Sequence, residues 1–143
     1  MAAPSSSAPK RLTPSRSSRK FTLQQANSAL PLVQRIVSDI VKTHALAATR
    51  KDAVESAQGP RQTADAQRDF DAAVDRLDKL VEELTSVGVE LKDYETGLID
   101  FVGRHEGRDV YLCWKLGEEK ITHFHELNAG FAGRKPVTLL RED

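Results

Sequence analysis

From Phe70 to Val87 apolar residues return at alternating intervals of three and four: Phe70, Ala73, Leu77, Leu80, Leu84 and Val87, with Val74 and Val81 beside them. A stripe of that period fits one face of an α-helix, and its narrowness is that of a coiled-coil seam. Upstream, Val33, Val37, Ile40, His44 and Ala47 follow the same rule, widened by Ile36, Val41 and Ala48. Gly59 and Pro60 separate the two series: glycine suits a left-handed C-terminal cap, and proline cannot continue a hydrogen-bond ladder. So short a connection forces the helices antiparallel. The pattern predicts a helical hairpin over residues 21–87, with two helices of about 25 residues, each about 35–40 Å long.

Local spelling refines the ends. Thr22 and Gln25 have the spacing of a capping box, which starts the first helix near Leu23. Pro31 predicts a short first helix with a kink or restart at residues 28–31, and the second helix is expected from about Ala64. Asp69, Asp71, Asp75, Arg76, Asp78, Lys79, Glu82 and Glu83 occupy the off-stripe positions, where a solvated face accounts for them. His44 lies in the seam with no partner histidine at helical spacing, so it reads as a packed or edge residue.

After Gly88 the period changes. "VELKD", "GLIDFV", "RDVYLCWKL" and "KITHFHEL" are short β-type runs, separated by the glycine-bearing turns "YETG", "GRHEGR" and "LGEE". Three or four antiparallel strands in a meander are expected, with "NAGFAGRKPVTLLRED" folding over the sheet as a loop. The expected fold class is α+β: a long antiparallel helical hairpin, then a small antiparallel β-meander, in one domain over residues 21–143 (hairpin 21–87, sheet and C-terminal loop 88–143).

Residues 1–20 stand apart. They carry Lys10, Arg11, Arg16, Arg19 and Lys20 without an acid, among Ser, Pro and Ala, a composition that cannot offset ordering entropy and predicts a disordered basic tail. An acid-free, Arg- and Ser-rich start shares features of an organelle transit peptide but lacks its amphipathic stripe, so a solvated tail is expected. The remainder holds 16 basic and 21 acidic residues, an excess that argues against nucleic-acid binding except through the tail. No secretory signal and no membrane-spanning run is read in the sequence. The lone Cys113 forms no internal disulfide, which fits a reducing compartment and makes the cytoplasm the expected location.

"FTLQQANSALPLV", "GVELKDYETGLIDF", "GRHEGRDVYLCWKLGE" and "HELNAGFAGRKPV" together resemble an uncharacterised bacterial family, domain of unknown function 2203. The resemblance covers roughly residues 21–137. It rests on Gly103, Arg104, Gly107, Arg108, Val110 to Trp114, His125, Glu126 and Gly130 to Arg134, and departs at Val102, where the family pattern has proline. It implies the domain extent and a signature region in the C-terminal half; it implies no activity, substrate or cofactor.

Two constellations carry chemistry. Cys113, His123, His125 and Glu126 combine thiolate, imidazole and carboxylate, donors that suit zinc or another divalent metal. On a strand His123 and His125 face one way and Phe124 and Glu126 the other. A three-residue loop at 117–119 would set Cys113 opposite His123 and Tyr111 opposite His125; a two-residue loop would not, and a one-residue slip reverses the faces. A histidine across the hairpin could activate Cys113 as a nucleophile, whereas a cysteine between Leu112 and Trp114 also reads as a small buried apolar residue. Common hydrolase, nucleotide and metalloprotease signatures are absent.

Arg104, Arg108, Arg134 and Lys135 form the second constellation, on glycine-bearing loops where backbone amides and planar guanidinium forks can hold an acidic ligand. Arg108 and Arg134 can equally pair with Asp100, Asp109 or Glu126 and hold the loops, and Trp114 and Phe131 can be either an apolar wall or core. The sequence therefore points to a non-enzymatic binding or scaffold module without a cofactor, binding through Arg104, Arg108, Trp114, His125, Glu126, Phe131 and Arg134. Two helices alone cannot cover stripes this broad, so the sheet or a second copy must, which makes a homodimer or protein partner at the hairpin an expectation. The alternative is a small metal protein or enzyme centred on Cys113, His123, His125 and Glu126.

Overall fold

Thr22 caps the first helix as its spacing predicts. Its hydroxyl accepts from the Gln25 amide at 3.0 Å, and the Gln25 side chain accepts from the Thr22 amide at 3.0 Å, completing the capping box. The computed structural model describes residues 19–142, and in it helix α1 runs unbroken from Leu23 to Ser56. The restart expected at residues 28–31 does not occur. Pro31 sits inside the helix, where it removes one ladder bond and crowds the Asn27 carbonyl, at a cost of about 3 kcal/mol. Leu30, Val33, Ile36, Val37 and Ile40 are buried around it. Each such side chain contributes roughly 1.5–3 kcal/mol by leaving water, so packing outweighs the local penalty.

Gly59 also acts differently from expectation. Helix α1 ends at Ser56, with the Ala57 amide bonded to the Val54 carbonyl at 3.3 Å. Gly59, with φ +82°, opens helix α2 (Gly59–Val87), and Pro60 occupies its first turn, where a missing N–H costs nothing. The helices, 34 and 29 residues long, therefore exceed the expected length. Gly88 ends α2 in the left-handed conformation, its amide bonded to the Leu84 and Thr85 carbonyls.

Five strands follow: β1 (Val89–Asp93), β2 (Leu98–His105), β3 (Arg108–Lys115), β4 (His123–Glu126) and β5 (Lys135–Pro136), antiparallel and ordered as in the chain. β5 replaces part of the expected C-terminal loop; its Pro136 is tolerated because β5 is an edge. The stretch "GRHEGR" divides, since Gly103 belongs to β2 and only Glu106 and Gly107, both with positive φ, make the two-residue turn. Of the two β3–β4 registers left open by the sequence, Cys113 pairs with His123 and Tyr111 with His125. The connection is longer than three residues. It is fixed by the Trp114 indole N–H donating to the Glu118 carbonyl at 3.0 Å and the Ile121 amide donating to the Asn27 side chain at 2.8 Å.

One face of the sheet presents Ile99, Phe101, Val110, Leu112, Trp114 and Phe124 to α1 and to Leu80 and Leu84 of α2, forming the core. Between Ala48 and Ala72 no residue is buried, so the far end of the hairpin has no sheet beneath it. The C-terminal segment ties back: the Arg141 amide donates to His105 Nδ1 at 3.0 Å, and Glu142 accepts from the Leu23 amide at 2.6 Å, at the α1 N-terminus. The tail expected over residues 1–20 lies outside the described residues except for Arg19 and Lys20. Those two are engaged, Arg19 stacking 4.7 Å from the Phe21 ring centroid and Lys20 lying 3.8 Å from Asp109.

Candidate functional site

Strand alternation turns Glu90, Asp100, Cys113 and His123 to the sheet face away from the helices. Glu90 lies opposite Asp100, Asp100 opposite Cys113, and Cys113 opposite His123, so the four form one transverse row. Tyr111 and His125 form the next pair on the same face. Asp100, Cys113 and His125 are 2%, 3% and 4% exposed, and their donor atoms all lie within 4.8 Å of one another. The His125 Nε2 is 3.3 Å from Asp100 Oδ2. Its Nδ1 lies 2.9 Å from the Glu126 carbonyl; a carbonyl only accepts, so Nδ1 carries hydrogen and Nε2 is the atom turned into the cluster.

Each titration follows from these neighbours. The hydrogen bond to Asp100 raises the His125 pKa against the opposing effect of burial. Burial, then the Asp100 charge, pushes the Cys113 thiol up to about 12, which leaves it protonated at neutral pH. Burial and the charge of Glu90 likewise raise the Tyr111 phenol. Tyr111 donates to Glu90 Oε1 at 3.0 Å, and Lys92 Nζ reaches the same oxygen at 2.9 Å. Glu90 Oε2 is buried without a hydrogen-bond partner.

The structure divides the residues singled out in the sequence. Cys113 and His125 come together with Asp100. His123 faces Cys113, but its Nδ1 is 2.9 Å from the Thr122 hydroxyl and it stands outside the donor group. Glu126 points to the helix side, where Arg108 grips it through two bonds of 2.9 and 2.7 Å and holds its carboxyl below the usual range. Arg104 is spent within its own hairpin on Asp109 at 3.0 Å and the Gly107 carbonyl at 2.7 Å. Trp114 is fully buried core. Phe131 is exposed at the surface with Arg134 stacked 4.0 Å from its ring centroid.

Glu90 and Tyr111 carried no signal that selected them. Asp100 did: a lone carboxylate between Ile99 and Phe101 in an apolar strand must face away from the core and needs a buried partner. A family model described as "Uncharacterized conserved protein (DUF2203)" matches residues 19–137. No curated protein and no solved structure matches the chain.

Proposed function

From the premise that this chain belongs to the family Uncharacterized conserved protein (DUF2203), we propose that it is a non-enzymatic binding module whose helical hairpin is the arm that engages a protein partner. The observation that carries this reading is the uncovered end of the hairpin. Nothing between Ala48 and Ala72 is buried, and the coiled-coil-like stripe of α2 continues through Phe70, Val74 and Leu77, each only partly covered. A stripe of that kind gains stability by being covered, and a second copy of this chain is the simplest cover, because a two-fold interface needs only one self-complementary patch.

The chemistry of the sheet supports a binding rather than a catalytic role. A thiol held protonated is a poor nucleophile, and Arg104 and Arg108 already have carboxylate partners. Arg134 and Lys135, beside exposed Phe131, remain the candidates for an acidic group on the partner. Among the described residues no helix is long and apolar enough to cross a membrane, and the free Cys113 suits a reducing compartment such as the cytoplasm.

Light scattering of the full chain across concentration tests the reading. A reversible dimer is expected, with a Val74→Asp substitution weakening it at least about tenfold, or roughly 1.4 kcal/mol, at unchanged helical content. A monomer at every concentration that also captures no partner sensitive to Val74→Asp would remove the proposal.

A further inference from the structure

We infer that Asp100, Cys113 and His125 bind one divalent transition-metal ion of zinc-like preference, with the Glu90 carboxylate beside them outside the donor group. This goes beyond the partner-binding role of the hairpin and does not depend on it. Three neighbouring strands would each give one donor: Asp100 from β2, Cys113 from β3 and His125 from β4. Thiolate, imidazole nitrogen and carboxylate oxygen are the donors of zinc sites, and soft sulfur argues against magnesium or calcium. Metal-ligand bonds of about 2.0–2.3 Å place tetrahedral donors roughly 3.3–3.8 Å apart. The observed separations, up to 4.8 Å, exceed these by about 1–1.5 Å at most, the distance the donors close on binding.

Two further observations point the same way. The Glu126 carbonyl holds the proton on His125 Nδ1 and so orients Nε2 toward the cluster, the outer-shell arrangement that accompanies ligating histidines. Glu90 Oε2, on the same face directly opposite Asp100, is buried and unpartnered. An ion pair between Asp100 and His125 alone would not use that oxygen. On binding, the Cys113 S–H bond and the His125 Nε2–H bond both break, the two protons pass to solvent, and the thiolate and the imidazole nitrogen donate to the ion, with no change of oxidation state.

The full chain, stripped with chelator and titrated with Co²⁺ alone, provides the test. Expected are one Co²⁺ per chain, a thiolate-to-metal charge-transfer band, intense tetrahedral ligand-field bands, displacement of all of these by Zn²⁺, and a higher melting temperature with Zn²⁺. Cys113→Ser should abolish the charge-transfer band, His125→Ala should weaken Zn²⁺ binding about 100-fold, and Glu90→Gln should weaken it about 10-fold. Should His125→Ala fail to fold, the near-isosteric Cys113→Ser decides. No spectral change in the unsubstituted chain, a weak octahedral spectrum without the sulfur band, or a Zn²⁺ melting shift retained in Cys113→Ser would each overturn the assignment.

Discussion

Asp93 ends β1 and caps the turn to β2, its carboxylate accepting from the Thr96 hydroxyl at 2.6 Å and from the Glu95 amide at 3.2 Å. These bonds, Thr96 first, lower its pKa from 3.8. A depressed folded pKa contributes stability that is present above the unfolded value and is lost as pH falls through the folded one. Thr96→Val should therefore lower the denaturant midpoint at neutral pH and lessen the loss of stability between about pH 5 and pH 2. Gly97, next in the chain, has φ +72°, and a Cβ there would come within 2.9 Å of side-chain atoms of Val37 and Leu116. Gly97→Ala should cost at least about 1–3 kcal/mol from the backbone alone, readable as a shifted urea midpoint. Trp114→Ala, at a site fully buried against the helices, should cost about 3–5 kcal/mol at an unchanged urea slope. At this scale the candidate site was half legible. The alternation of "THFHE" places His125 on one face, whereas pairing with arginine is the role that the sequence offers Asp100. Which side chains meet depends on register across four strands, a property of turns and packing rather than of any one run.

Among the elements, α1 shows best how packing overrides local preference. Pro31 is exposed within a continuous helix, so its ring contributes no core contact to offset the missing ladder bond. Pro31→Ala should raise stability by about 1–3 kcal/mol, measured as a higher melting temperature, with part of the gain offset by the freer unfolded chain. The β2–β3 turn makes a parallel case: Glu106, at φ +51°, is the non-glycine residue with positive φ among those described. Glu106→Asn, better suited to the first position of such a turn, should add up to about 1 kcal/mol in the same assay. The two helices were readable because a stripe repeated over six positions is hard to mistake. Their outer ends, at Leu23 and Val87, were readable too, but the two ends that meet at the loop were not, because a Gly-Pro pair can close one helix or open the next, and only the extended cap at Ala57 decides between them.

The whole molecule is a base and an arm. Sheet, α1 from Ala26 to Val41 and α2 from Leu77 onward share one apolar core, while residues 48–72 are held by little more than each other, as in the bond of 3.0 Å from Arg50 to the Asp69 carbonyl. Binding through the arm makes sense only if that part is the marginal end of the fold, since stability in proteins is distributed according to local burial. Amide hydrogen exchange of the full chain at a concentration where it is monomeric measures this directly. The account predicts that amides at residues 48–72 exchange at least about 100-fold faster than those of Val33–Ile40 and β3, and that partner or self-association slows the arm selectively. Uniform protection along both helices in the isolated monomer, unchanged by association, would contradict it.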